Sequence, residues 1–266
     1  MCFSYVHRRQ AVEIGLPRLP AVRQPPEVAD RQSITNGDGT PVISYEEGVR
    51  DGLPWADNLE VHAPGAADLV MSRLRGWIVS APEELSGELI ARGARLVRHA
   101  HVMTCDLAGR AASGVLPPSG FRFVPCDRAP EEVFPAWLAA YPPGHPDHRR
   151  RDADDGLREE LTPLMRGEKL GTLHPSSTLA VDAEDKVVAG VLINDWQGTA
   201  WISEVFRHPD TSPSGLGAAV LATALDKAAA DGLPAVGLAV THTNPARRVY
   251  ERLGFTVVQT SVTVTV

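Results

Sequence analysis

Two glycines one residue apart, Gly215 and Gly217, open an alanine-rich run within HPDTSPSGLGAAVLATALDKAAADG, His208–Gly232. Neither has a side chain to hold a ligand away from the backbone. The first turn of a helix beginning there presents unpaired N–H groups and the positive end of the helix dipole. That combination suits a pyrophosphate, with charge–dipole attraction of about 0.3–2 kcal/mol added to backbone hydrogen bonds. The same turn also reads as a permissive helix start and nothing more. Other phosphate motifs are excluded by spacing. There is no Gly-x4-Gly-Lys-Ser/Thr, and Val220 stands where the third glycine of Gly-x-Gly-x-x-Gly would be.

Elsewhere the chemistry is sparse. His99 and His101 share a strand face, but no third ligand is evident, so no metal site is expected. Cys2, Cys105 and Cys126 are too few and too scattered for a disulfide framework or a zinc cluster. No Gly-x-Ser-x-Gly elbow is present, and no serine–histidine–acid arrangement follows from spacing.

The elements that would position the glycine turn alternate between strand and helix. FRFVPCD reads as a strand, APEEVFPAWLAAY as a helix, YPPGHPDHRRRDADDG as a loop and LREELTPLMRG as a helix. STLAVDAEDKVVAGVLIND is two strands about a turn, and TAWISEVFRHP is the strand entering the glycine turn. After the helix come the strand LPAVGLAV, the short helix NPARRVYERLG and the alternating strand FTVVQTSVTVTV. The fold class is therefore α/β, with a mixed sheet.

The chain divides by composition into an irregular arm (1–56), a small α/β lobe (57–107), a linker (108–120) and a larger domain (121–266). The lobe echoes the larger domain. ELIARGARLVRHAHV lies on VYERLGFTVVQTSV with Gly93 on Gly254, which suggests a degenerate internal repeat.

Bulk properties narrow the partners. The chain has 266 residues and a net charge of -7, which argues against nucleic-acid binding by a basic field. No apolar run approaches the roughly 18–20 residues that span a bilayer. The amino-terminal MCFSYVHRRQAVEIG lacks the layout of a secretory signal, and the expected residence is cytoplasmic, without membrane attachment.

The glycine turn and the later stretch Asn244-Pro245-Ala246-Arg247-Arg248-Val249-Tyr250-Glu251-Arg252-Leu253-Gly254-Phe255 together resemble the GNAT (Gcn5-related N-acetyltransferase) family. Its motifs are Gln/Arg-x-x-Gly-x-Gly/Ala and Asn-x-x-Ala…Tyr-x-x-x-Gly-Phe. In element order the resemblance covers roughly Phe121–Val266. It implies a GNAT fold preceded by a degenerate lobe of similar design, with acetyl-CoA as cosubstrate. The expected reaction is direct acetyl transfer to the primary amine of a small molecule. The cofactor would lie along Val205, Phe206, Arg207, Ser212, Ser214, Gly215, Leu216, Gly217, Ala218, Asn244 and Arg247.

Tyr250 would be the general acid at the thiolate, and Glu204 the base, acting through water, with His242 as the second candidate base. His145 and His148 fall where the family shapes its acceptor site. The nearby Asp152, Asp154 and Asp155 would attract a cationic amine or form a solvated acidic loop. Two departures stand out. Ser212 takes the place of the Gln or Arg, and Pro213 removes one N–H from the loop. Other readings are a non-catalytic acyl-CoA-binding module and acetylation of a protein lysine or N-terminus. The oligomeric state is left open.

Overall fold

The computed structural model describes residues 31–148 and 152–266. The expected arm over 1–30, its lack of a signal and Cys2 lie outside the described residues. No helix among the described residues is long and apolar enough to cross a membrane.

The first half runs β1 (Arg31–Thr35), β2 (Pro41–Arg50), β3 (Leu53–Val61), α1 (Ala66–Arg73), β4 (Ile78–Ala81), α2 (Glu83–Ala91) and β5 (Arg95–Asp106). The second begins with β6 (Arg122–Pro125) and α3 (Pro130–Ala139). A short α4 (Ala153–Asp155), a π-helical turn (Gly156–Leu161) and α5 (Thr162–Met165) follow. It closes with β7 (Thr178–Val181), β8 (Val187–Trp196), β9 (Thr199–Arg207), α6 (Leu216–Ala230), β10 (Ala235–Thr241), α7 (Arg247–Arg252) and β11 (Thr256–Thr265).

Residues 31–56 are not irregular as the composition suggested. They form β1, β2 and the start of β3, and β2 buries Val42, Ile43, Ser44 and Tyr45. The glycines and asparagine that look like loop composition are hairpin turns. Asp51 and Gly52 both have positive φ (52° and 78°), as the tight turn between β2 and β3 requires.

The strands among the described residues join one 11-stranded sheet in the order β1-β2-β3-β4-β11-β5-β10-β9-β8-β7-β6. The register exposes the repeat. Ser33↔Ser44 and Gly48↔Trp55 in the first half correspond to Leu179↔Gly190 and Asn194↔Trp201 in the second, each residue 146 positions on. At the carboxyl end of each half a short helix stops at a glycine of positive φ, Gly93 or Gly254. The next residue's N–H reaches back to the helix in both, Ala94 to Leu89 and Phe255 to Tyr250, each at 3.0 Å. These glycines are 161 positions apart, as are Ala100 and Ser261, which pair with each other. The local dyad therefore passes between β5 and β11.

The last strands are exchanged. β5 runs antiparallel to β10 of the second half, and β11 runs antiparallel to β4 of the first. Met103 and Cys105 consequently enter the core beneath α6, with Val220, Leu221, Leu225 and Val236. Val262 and Val264 enter the other core, with Val70, Leu74, Leu85 and Leu89. Neither half completes its core alone. A third cluster packs α3 and the π-helical turn onto the opposite sheet face, through Val133, Trp137, Leu161 and Phe206.

Candidate cofactor cleft and active site

β9 and β10 are parallel but pair only at Trp201↔Gly237. Gly237 permits that close approach, because a Cβ there would sit 2.7 Å from the Trp201 ring. Beyond this point the strands part. The opening widens into a cleft of about 1720 Å³ that also reaches Glu46, Glu47, Trp55 and Arg98 of the first half.

The floor of the cleft is the glycine turn. Gly215 has φ +89°, a left-handed conformation that starts the 15-residue α6 and strains any side-chain-bearing residue. The N–H groups of Ser214, Gly215, Gly217 and Ala218 meet no acceptor among the described residues. Arg207 holds the loop from inside. Its Nη1 donates to the carbonyls of Ser212 (2.8 Å), His208 (3.2 Å) and Pro209 (3.3 Å), and to Ser212 Oγ (3.2 Å). Carbonyls drawn inward by the guanidinium leave the later amides of the loop facing outward.

This arrangement sorts the expected cofactor residues. Val205, Phe206, Arg207, Ser214, Gly215, Gly217, Ala218 and Asn244 line the cleft. Phe206 does so by its backbone, since its ring is buried against Gly190 and Leu179. Ser212 does not line it: its buried hydroxyl donates to the His208 carbonyl at 2.7 Å, inside the loop. Leu216 is a core residue whose N–H donates to the Pro213 carbonyl at 3.3 Å. Arg247 lies outside the cleft, its Nε donating to Glu251 at 2.9 Å and its Nη1 3.1 Å from His101 Nε2. These three residues were expected because the motif marks positions along the chain, and a tight turn faces only some of them toward the cleft.

The acid–base candidates converge in part. Tyr250 is buried and lines the cleft together with Glu204. Burial first, then the Asp147 and Glu204 carboxylates, raise the Tyr250 phenol well above its ordinary value, so it holds its proton. His242 is an exposed residue beyond the end of β10, among other histidines and away from the cleft lining.

Two site residues were not visible in the sequence. Tyr141, just past α3, donates to Glu204 Oε2 at 2.6 Å and to the Val205 carbonyl at 3.3 Å. Burial and the neighbouring Glu204 carboxylate push its phenol well above the usual range. Asp147 accepts hydrogen bonds from Thr241 Oγ1 and from Asn244 Nδ2, the latter at 2.6 Å. Asn244 Oδ1 accepts from the Ala246 N–H at 2.8 Å, so one amide both shapes the entry to α7 and is held by Asp147. The only signal for either residue was the aromatic and acidic content of a proline-rich loop, which does not say which strand the loop covers.

The surrounding acceptor candidates divide as well. His145 lines the cleft, edge-on to Tyr141 with ring centroids 5.3 Å apart, while His148 Nδ1 is 2.8 Å from the Tyr141 carbonyl. Asp152 caps α4 by accepting from the Asp155 N–H at 2.9 Å, and Asp155 pairs with Arg158 at 2.7 Å. Neither these two aspartates nor Asp154 lines the cleft.

Comparison with known proteins bears on the family and the fold. Residues 131–255 match the model of the acetyltransferase (GNAT) family. Among solved structures, a GCN5-related N-acetyltransferase from Sphaerobacter thermophilus aligns with TM-score 0.61 and 18% identity, covering 87% of this chain and 78% of that one. A tandem GNAT protein from the clavulanic acid biosynthesis pathway aligns with TM-score 0.56 and 18% identity, over 87% and 80% of the two chains. A GCN5-related N-acetyltransferase from Kribbella flavida gives 0.50 and 17%, over 89% and 90%. At these identities the likeness is one of fold. A search of curated sequences gave no significant match. The split strands, the glycine turn before α6 and the matched family model lead to one assignment: residues 131–255 carry a domain of the acetyltransferase (GNAT) family.

Proposed function

We propose that the second half transfers an acetyl group from acetyl-CoA to the primary amine of a small molecule, directly and through a ternary complex. The observation that carries this reading is the parting of β9 from β10 directly above a turn with four unengaged N–H groups. The pyrophosphate would rest on Ser214, Gly215, Gly217 and Ala218. The pantetheine arm would lie along Val205 and Arg207 like an added strand.

The amine must attack unprotonated. Glu204 takes its proton through a water, the nitrogen bonds to the thioester carbonyl carbon, and the carbon–sulfur bond breaks. The departing thiolate takes the Tyr250 phenolic proton. The second proton shed by the acylated nitrogen returns to the Tyr250 oxygen, leaving a neutral amide, free CoA and a proton on Glu204 that passes to solvent. Neither Cys105 nor Cys126 lines the cleft. Asp147, Glu160, Glu168 and Glu204 on the acceptor side favour an amine that arrives as a cation.

Titration of acetyl-CoA, beside CoA and ATP, into wild type and a Gly215→Val/Gly217→Val variant tests the cofactor site. Saturable binding that disappears in the still-folded variant is expected, and a panel of small amines should then release free CoA. Absence of binding to wild type would sink the reading. The inward Ser212 and the missing N–H of Pro213 favour one alternative, a non-catalytic acyl-CoA-binding module. That module would bind without turnover against any amine. Labelled acetyl-CoA in lysate would instead mark proteins if the acceptor were a lysine or an N-terminus.

A further inference from the structure

Three histidines meet where the exchanged strands cross the seam between the halves. His99 and His101 lie on β5, and His242 follows β10. One ring nitrogen from each falls within 4.8 Å of the other two. The third ligand that the sequence did not reveal comes from a residue 141 positions beyond His101.

The hydrogen bonds fix the protonation of the central ring. Arg247 Nη1, 3.1 Å from His101 Nε2, can only donate, so Nε2 carries a lone pair. His101 Nδ1, 2.8 Å from Thr260 Oγ1, therefore holds the hydrogen. His242 Nδ1, 2.8 Å from the same His101 Nε2, must then donate as well. The remaining ring has an orphan. His99 Nε2 is shielded from solvent and has no hydrogen-bond partner, with Glu83 Oε1 at 3.8 Å. A hydroxyl that fixes the tautomer of a ligating ring is a recurrent feature of metal sites.

We propose that His99, His101 and His242 form a site for a divalent transition metal of the zinc class, with Glu83 or water as the fourth ligand. Imidazole is the ligand type that suits such ions. Loading requires two movements. His242 lies flat on His99, with centroids 4.0 Å apart and planes 13° apart, and must turn to share an ion with it. It is exposed and free to do so. Arg247 must release His101, and Glu251, already 2.9 Å from its Nε, holds the guanidinium when it does. The bound ion would pin β5 to the segment that leads into α7. This proposal does not depend on acyl transfer.

The test uses untagged full-length protein, titrated with Co(II) and read by the visible absorption of a four-coordinate ion, then displaced with Zn(II). One equivalent should bind. His242→Ala, an exposed substitution that leaves folding intact, should weaken binding by at least about tenfold, a loss of the size that metal-site changes produce. Arg247→Ala should strengthen binding, because it removes a cation from beside the ion. Thr260→Val should weaken it by freeing the His101 tautomer. Absence of a stoichiometric Co(II) or Zn(II) complex in wild type would overturn the site. Binding unchanged in both His242→Ala and Arg247→Ala would overturn it equally.

Discussion

Tyr141 donates its phenolic hydrogen to Glu204 Oε2 at 2.6 Å, joining the loop after α3 to the strand that feeds the glycine turn. A hydrogen bond donated to a carboxylate favours its charged form. Under the proposed mechanism, Tyr141→Phe removes that donor, and the acidic limb of the kcat/KM profile should move to higher pH. Glu204→Gln should abolish that limb and lower kcat by about 100-fold or more, within the usual range for a general base. A retained rate with an unmoved profile in Glu204→Gln would remove Glu204 from the mechanism.

Tyr250 is flanked by the carboxylates of Asp147 and Glu204 and is buried, all of which hold its proton in place. Tyr250→Phe should therefore lower kcat by about 100-fold, as expected on loss of a general acid. The KM for acetyl-CoA should stay within about twofold, since the proposed role is confined to the transition state. Equal losses in binding and rate would instead identify a packing role for the ring. Because the phenol is raised, the wild-type profile should show no loss from its ionisation at pH 9–10, where an unperturbed tyrosine titrates.

Gly217 separates cofactor binding from folding. A Cβ there would lie 3.8 Å from Arg207 Cβ, an ordinary contact, and the residue is not held at positive φ. Gly217→Ala should thus fold with a Tm close to wild type. Gly217→Val places branched methyls over the exposed amides and should weaken acetyl-CoA at least tenfold by calorimetry, equivalent to about 1.4 kcal/mol. Gly215→Val carries in addition the strain of φ +89° and should lower Tm.

Asp57, on β3 of the first half, has its pKa raised from 3.8 to about 6, chiefly by burial. A carboxyl raised on folding contributes stability below its unfolded pKa and loses it as pH climbs through the folded value. Between pH 4 and 6 the wild type should lose up to about 3 kcal/mol through this group, at roughly 1.36 kcal/mol per unit. Asp57→Asn should be more stable than wild type at pH 7.5 and no more stable at pH 4. Denaturant unfolding at the two pH values checks the sign.

The exchanged strands make folding of the halves interdependent. Met103→Ala, a first-half substitution, empties space beneath α6 and should cost about 2–5 kcal/mol. A fragment lacking residues 1–118 loses β5, leaving the long edges of β10 and β11 unpaired, and should be insoluble or unfolded. A soluble fragment with wild-type acetyl-CoA affinity would contradict this dependence.

Several features were local enough to be legible in the chain. Gly215 and Gly217 ahead of an alanine-rich run announce a helix start. Gly93 and Gly254, each ending a helix before a β-branched strand, announce the repeat. These depend on residues within a few positions of one another, where backbone sterics and capping dominate. Even local evidence misled over residues 31–56, because the glycines that close two hairpins have the composition of a loop until the strands beside them find partners.

What only the tertiary structure decided was which distant residues meet. The exchange of β5 and β11 cannot be read from either strand, since both are long and alternating and each would pair with several neighbours. The exchange puts Met103 in the core beneath α6 and Val262 in the core of the first half. The same long-range pairing brings His242 to His99 and His101, and loop closure over the cleft brings Tyr141 to Glu204 and Asp147 to Asn244. Ser212 shows the reverse case: its position in the motif was plain, but the direction of its hydroxyl follows from the carbonyls that Arg207 gathers around it. Residue type and spacing set the available chemistry. The packing of exchanged strands and a folded-over loop set which groups are close enough to use it.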